Sequence, residues 1–262
     1  MPAFFLSHGG GPWPWMDDLR CQFDKLEEFL RSLPSELPRR PEAIVVISGH
    51  WEEDDFGVMA AAKPKMIYDF GGFPEHTYRI TYPAPGSPEL AARIHKLIEA
   101  AGLKSHLDHA RGFDHGTYSM LYPMFPNAHV PVVQVSIRRD FDPDAHLRVG
   151  RALAVLRGEG VLILGSGNTF HNFHPPRDAN EHSRVFEEWL QESLVSPAGN
   201  QREQRLIHWS EAPSARVNQP REDHLIPLLV AAGSSHDESA SLAHRYEMLM
   251  FGQTLSSSYR FG

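Results

Sequence analysis

The sequence predicts an α/β fold: a single domain over residues 1–262, with a mainly parallel central sheet, helices on both faces and an active site at the carboxyl ends of the strands. Three observations predict it. Uninterrupted apolar, β-branched runs such as Ala43–Ser48 have the character of strands covered on both faces. Segments with helical apolar spacing fall between them, so strand and helix alternate along the chain. Three of the strand-like runs stop abruptly at glycine and histidine, and in parallel α/β sheets ligands collect at those ends. A length of 262 residues suits one large core, so a second domain is not required.

Taken in order, Ala3–Ser7 is a short buried strand ending at His8, where Gly9, Gly10, Gly11 and Pro12 break regular structure. Residues 17–33 place Leu19, Phe23, Leu26, Phe29, Leu30 and Leu33 on one helical face, with Pro34 expected to close the helix. Ala43–Ser48 is a central strand ending at Gly49, His50 and Trp51. Residues 63–86 combine Pro, Gly and the aromatics Tyr68, Phe70, Phe73, Tyr78 and Tyr82 with little periodicity, which predicts a long loop able to cover a site. Ser87 as N-cap, Pro88 at the first position and Gly102 beyond the end mark the next helix. Arg111–Thr117 reads as a loop, Val130–Ser136 as a strand and 142–156 as a helix. Gly160–Gly165 is a third core strand, followed by Ser166, Gly167, Asn168, Thr169, Phe170 and His171. Helices are expected over 177–195 and 200–209, and over 221–232 with His224 in the first turns; 246–251 and 256–260 read as edge strands.

Composition excludes several classes of function. The formal net charge is −8 and no Lys/Arg block is dense enough to follow a phosphate backbone, so no nucleic-acid partner is expected. No apolar run reaches membrane-spanning length, and Met1–Leu6 lacks the features of a signal peptide; a cytoplasmic protein without membrane attachment is expected. A homodimer is the prior for such an enzyme. The single cysteine, Cys21, rules out an internal disulfide and a thiolate cage, and its helical setting suggests core packing.

The unusual number is sixteen histidines. One histidine beside glycine at a strand end is ordinarily a loop residue bonded to a carbonyl. The joint pattern is different: His8, His50 and His171 each follow a strand-like run, His115 sits in Phe113-Asp114-His115-Gly116, and His224 follows Glu222 and Asp223. Neutral imidazole backed by carboxylates, without cysteine, suits Fe²⁺ or Zn²⁺, and spacing does not choose between them. A His-Glu-x-x-His helix, a Gly-x-Ser-x-Gly elbow and a phosphate loop are all missing.

At these residues the chain resembles the class III extradiol ring-cleavage dioxygenases, in the branch similar to 4,5-DOPA dioxygenase. The resemblance rests on Phe4–Gly9, Ile47–Trp51, Gly112–Gly116 with Tyr118, Gly165–Asn172 and Asp223–Leu228, in family order along nearly the whole chain. It implies an enzyme that opens the ring of a DOPA-like or other substituted catechol with O₂ to give a muconic semialdehyde. It implies a metal at His8, His50 and His224, with Fe²⁺ for activity and Zn²⁺ as an alternative occupant. By the same resemblance His171 is the catalytic acid/base or a fourth ligand, and His115 stands behind the ligands or assists on the oxygen side. Asn168, Thr169, Tyr118 and Asn172 are candidates for orienting substrate. Other branches carry a glutamate as third ligand, and relatives carry a small hydroxyl residue in the Gly9–Trp13 loop, where Trp13 and Trp15 are expected to reshape the pocket mouth.

Arg39, Arg79, Arg111 and Arg221 are the cations considered for a substrate carboxylate. The rival reading is a zinc-dependent hydrolase on the same histidines, with Glu52, Glu53 or Asp114 as its base. A non-enzymatic metal-binding protein is the third.

Overall fold

The computed structural model describes residues 1–262. Its elements in chain order are β1 (Ala3–Ser7), α1 (Asp17–Arg20), α2 (Asp24–Glu36), β2 (Ala43–Glu53), β3 (Phe56–Met59), α3 (Pro88–Ala100), β4 (Ser105–Asp108), α4 (His115–Met124), β5 (Val132–Arg138), α5 (Pro143–Gly158), β6 (Val161–Gly167), α6 (Ala179–Leu194), α7 (Gly199–Ile207), α8 (Ala215–Asn218), α9 (Ile226–Gly233), β7 (Ala240–Met248) and β8 (Thr254–Phe261). All eight strands form one sheet in the order β4-β3-β5-β2-β6-β1-β8-β7. The centre, β5-β2-β6-β1, is parallel, whereas β8 runs antiparallel to β1 and to β7, and β3 antiparallel to β5.

Alternation along the central strands sorts their side chains into two cores. Phe5, Val45, Ile47, Val133, Val135 and Ile163 point to one face, where α3, α5, α6 and α9 cover them. Phe4, Leu6, Ile44, Val46, Leu162 and Leu164 point to the other, under α2 and α4. Both faces are therefore dry, which is why these strands read as continuous apolar runs. Each fully buried Leu or Ile among them contributes about 1.5–3 kcal/mol. Helix starts follow local chemistry: Ser87 Oγ accepts from Leu90 N at 3.3 Å, Asp114 accepts from Thr117 N at 3.1 Å, and Asp142 accepts from Asp144 N at 3.1 Å.

Several expectations need correction. The helix expected over 17–33 is two helices, broken at residues 21–23, and Pro34 lies inside the last turn of α2 instead of closing it. Cys21 is exposed at that break and fills no core. Strands β3 and β4 were not anticipated; each is four residues, and β4 carries Ser105, His106 and Asp108 at an edge, too short and polar for a periodic signal. The Arg111–Thr117 loop already turns helical at His115. In the segment expected as a helix from 221, regular helix begins only at Ile226, with Pro227 in its first turn, so His224 stands in the turn before it. Of the two strands expected at an edge only β7 lies there, since β8 pairs with β1 and β7; both are longer than expected, and Leu249–Phe251 forms a tight turn between them.

Candidate active site

Three adjacent parallel strands, β2, β6 and β1, deliver the site from their carboxyl ends, and strands so paired lie only about 4.8 Å apart. His8 leaves β1 with its N–H on the Gly167 carbonyl at 3.2 Å. His50 lies in β2 where the register against β5 slips between Ser48 and Glu52, an irregularity that re-aims side chains at a sheet's rim. His171 follows β6 and is held through its N–H on the Asn218 carbonyl at 2.8 Å. His115 opens α4, its N–H on Asp69 Oδ1 at 2.9 Å.

His224 reaches the same place because two glycines let its backbone close on the sheet. A Cβ at Gly167 would stand 2.0 Å from the His224 carbonyl oxygen, and one at Gly49 2.7 Å from that of Asp223. The glycines at these strand ends thus make room for the Asp223–His224 backbone and not for a ligand.

The five histidines form one cluster. Ring centroids are 5.0 Å apart for His8–His50, 5.2 Å for His8–His224 and 4.7 Å for His50–His224. His115 stands 4.0 Å from His50 and 5.4 Å from His8, and His171 stacks on His224 at 3.3 Å. The donor atoms of His8, His50 and His115 lie within 4.8 Å of one another, as do those of His171, Asp223 and His224.

Two aspartates set the proton positions. Asp223 Oδ2 accepts from His224 Nδ1 at 2.9 Å, and Asp69 stands 3.2 Å from His50 Nδ1 and 3.0 Å from His115 Nδ1. Protons held at Nδ1 leave lone pairs on Nε2, and the Nε2 atoms of His50 and His224 face each other at 3.1 Å. Two such nitrogens need a positive centre between them. A shared proton serves this one pair, whereas a metal ion also serves His8, whose Nδ1 is buried without a partner. Imidazoles sharing an ion at about 2.0–2.1 Å would bring their centroids roughly 4.5–5.2 Å apart. The spacings of His8, His50 and His224 fall in that range, so the residues fit a metal.

Electrostatics favour the neutral imidazole at His8 and His224 and the charged one at His50. Burial, then the neighbouring imidazoles, pushes the pKa of His8 and His224 well below the usual range, and burial with His50 lowers that of His115. Burial pushes His171 down to about 4, partly offset by Asp223. For His50 burial opposes the charge, but the Asp69 hydrogen bond and the charges of Asp114, Asp69 and Asp223 outweigh it and raise the pKa. Burial works against ionising Asp69 too, yet its bonds to His115 and His50 hold its carboxyl far below the usual range.

Of the expected substrate-orienting residues, only Asn168 lines the cavity above the cluster. Its Oδ1 accepts from Ser7 Oγ, which also shares a hydrogen bond with the Tyr246 hydroxyl at 2.7 Å, and its carbonyl accepts from Gln219 Nε2 at 2.8 Å. The other three do not line it. Thr169 donates to the buried carboxylate of Glu187, the Tyr118 hydroxyl donates to the Ile67 carbonyl at 3.3 Å, and Asn172 Nδ2 donates to the Val217 carbonyl at 2.7 Å. They brace the walls because their polar atoms are spent on the protein. Trp13 and Trp15 also stay away from the mouth: Trp13 is fully buried with Nε1 on the His8 carbonyl at 2.8 Å, and Trp15 packs on Tyr118 and Tyr122. Sequence reasoning missed Asp69, Ser7, Gln219 and Tyr246. Asp69 lies in the aromatic loop with no spacing to mark it.

The three carboxylates considered as the base of a zinc hydrolase are all engaged. Asp114, fully buried, accepts from Ser48 Oγ, Arg111, Gln134 and the Thr117 N–H; Glu52 pairs with Arg221 at 2.5 Å; Glu53 accepts from Trp51 Nε1 at 2.8 Å. None of the three lines the cavity.

A parallel sheet that collects aspartate-backed imidazoles at its strand ends defines a metal-dependent enzyme without thiolate ligands. Residues 2–262 match the family described as the catalytic LigB subunit of aromatic ring-opening dioxygenase, and the chain belongs to that family. It is 39% identical over 248 residues to the 4,5-DOPA dioxygenase extradiol of Beta vulgaris, covering 92% of this chain and 90% of that protein. The 4,5-DOPA dioxygenase extradiol of Escherichia coli K12 is 37% identical over 240 residues, covering 89% and 85%. The crystal structure of an uncharacterized protein from the same bacterium superimposes with a TM-score of 0.77 at 30% identity over 100% of both chains.

Proposed function

We propose that this chain opens the ring of a substituted catechol by extradiol cleavage with O₂, using Fe²⁺ held by His8, His50 and His224, with His171 as acid/base. The observation that carries the metal assignment is the pair of Nε2 atoms of His50 and His224 facing each other at 3.1 Å, with His8 beside them. When bound, a ferrous ion supplies a centre where catechol and dioxygen meet and electrons pass between them.

The side chains do the rest. Asp223 and Asp69 keep His224 and His50 in the tautomer that turns Nε2 to the centre. His171 is neutral near pH 7 because burial holds its pKa to about 4, so its imidazole is free to take a proton from a catechol hydroxyl and return it later. Asp223, with Oδ1 at 3.9 Å from His171 Nδ1, favours the imidazolium that forms. His115, with Nδ1 at 3.0 Å from Asp69, would offer a hydrogen bond on the oxygen side of the site. Phe70 and Phe73 form a wall of the cavity that restricts water.

The test is anaerobic reconstitution with Fe²⁺ or Zn²⁺, addition of a 4-substituted catechol and air, and recording of oxygen uptake with visible absorbance. The expected result is a yellow semialdehyde with iron alone. Ester or amide turnover with zinc, and none of catechol with iron, would reverse the assignment.

A further inference from the structure

The cavity above the histidines, about 430 Å³, has two unlike walls. The inner wall is the five imidazoles with Asp69 and Asp223; the outer wall is Leu19, Phe70, Phe73, Phe173, Met250 and Phe251. No lysine or arginine lines it. None of the four arginines considered from the sequence lines it. Arg221 is bound through both terminal nitrogens to Glu52, stands 3.5 Å behind Asp223 Oδ2 and lies over Phe141, and Arg111 is bound to Asp114 beside Trp51. Arg79 pairs with Glu75 on the surface, and Arg39 stands against Gly160, at the amino end of β6.

The mouth carries an apolar surface that the fold does not use. Phe173 is 65% exposed and Met250 45%, and the neighbouring Leu249 is 52% exposed; these are three of the five large apolar side chains the chain leaves open to solvent. Phe173 packs edge-on against Phe251 at 5.3 Å, which fixes the rim beside His171 at 4.9 Å. A ring seated on the histidine cluster has to project its substituent past this rim.

We propose that the site selects catechols whose ring substituent is uncharged and apolar, and discriminates against those that carry a carboxylate. The inference rests on the dioxygenase reading and adds the substrate class. A carboxylate brought to this wall gives up water with no cation to receive it. An alkyl chain instead covers Phe173, Met250 and Phe251, a gain of about two- to fourfold in kcat/KM per buried methylene.

The matched probes are 4-propylcatechol and 3-(3,4-dihydroxyphenyl)propanoate, which differ in a terminal methyl replaced by a carboxylate, with DOPA as a third. On the Fe²⁺-reconstituted protein the propyl compound is expected to exceed both acids in kcat/KM by at least about tenfold. Met250→Arg and Phe173→Arg, at exposed rim positions, are each expected to narrow that ratio by about threefold or more by supplying the missing cation. Equal or better turnover of the acids by the unaltered protein overturns the preference while leaving ring cleavage intact. Unchanged ratios in both variants overturn the assignment of the rim as its cause. Cleavage of none of the three overturns the dioxygenase reading, and the preference with it.

Discussion

His146 and His224 are equally buried, at 0% and 2% exposure, and burial depresses both pKa values, yet one belongs to the scaffold and the other to the site. His146 in α5 donates from Nδ1 to the Asp142 carbonyl at 2.7 Å and accepts the Arg138 N–H on Nε2 at 3.0 Å. Both of its nitrogens are answered by backbone. His224 is answered only on the Nδ1 side, by Asp223, and its Nε2 faces another imidazole nitrogen. Burial alone therefore does not mark a functional histidine. At His224 the unanswered lone pair, set in a cluster of imidazoles that share the same problem, marks the site.

The comparison breaks most severely if the facing lone pairs are dispensable. His50→Ala and His224→Ala are expected to lose iron on dialysis and to lower turnover by about a thousandfold or more. Metal analysis showing full retention in both would remove the ligand assignment. His171→Ala should keep its iron and lose about 10²- to 10⁴-fold in kcat, the usual weight of a general acid/base. Turnover at the unaltered rate would assign His171 to the wall.

Asp69→Asn tests the carboxylate behind the ligands. It should weaken iron binding by about 10- to 100-fold, as losses of a carboxylate behind a ligand do, with a smaller change in kcat for the loaded enzyme. A competition titration against a chelator measures it.

The smallest effect on turnover is expected at His146. Its folded-state pKa is lowered from 6.5 to about 4, so between those values the unfolded chain binds the extra proton. The stability it supports is present above pH 6.5 and is lost as pH falls toward 4, about 3 kcal/mol in all. In urea titrations at pH 7 and pH 4.5, His146→Gln should lose less stability on acidification than the unaltered protein, while its kcat at pH 7 stays within about twofold. Equal losses would mean that His146 is not neutral in the folded state.

The helix of α3 was legible because Ser87, Pro88 and Gly102 are local punctuation, and β1, β2 and β6 because dry strands are continuously apolar. The break at Cys21 was not legible, since the apolar spacing of residues 17–33 runs through it. Tyr118, Thr169 and Asn172 looked available for substrate by their position beside histidines. Their hydroxyl and amide groups were already committed to Ile67, Glu187 and Val217, partners that lie far away along the chain.

What the sequence determined by itself is the alternation of strand and helix and the placing of His8 and His171 beyond strand ends and of His50 toward the carboxyl end of β2, because periodicity and glycine breaks act over a few residues. Only the tertiary structure decided which nitrogen each imidazole turns inward. That depends on Asp69, supplied by a loop, and on Asp223, brought close by the approach allowed at Gly49 and Gly167. Hydrogen bonds are set by distance in space, and spacing along the chain does not encode them.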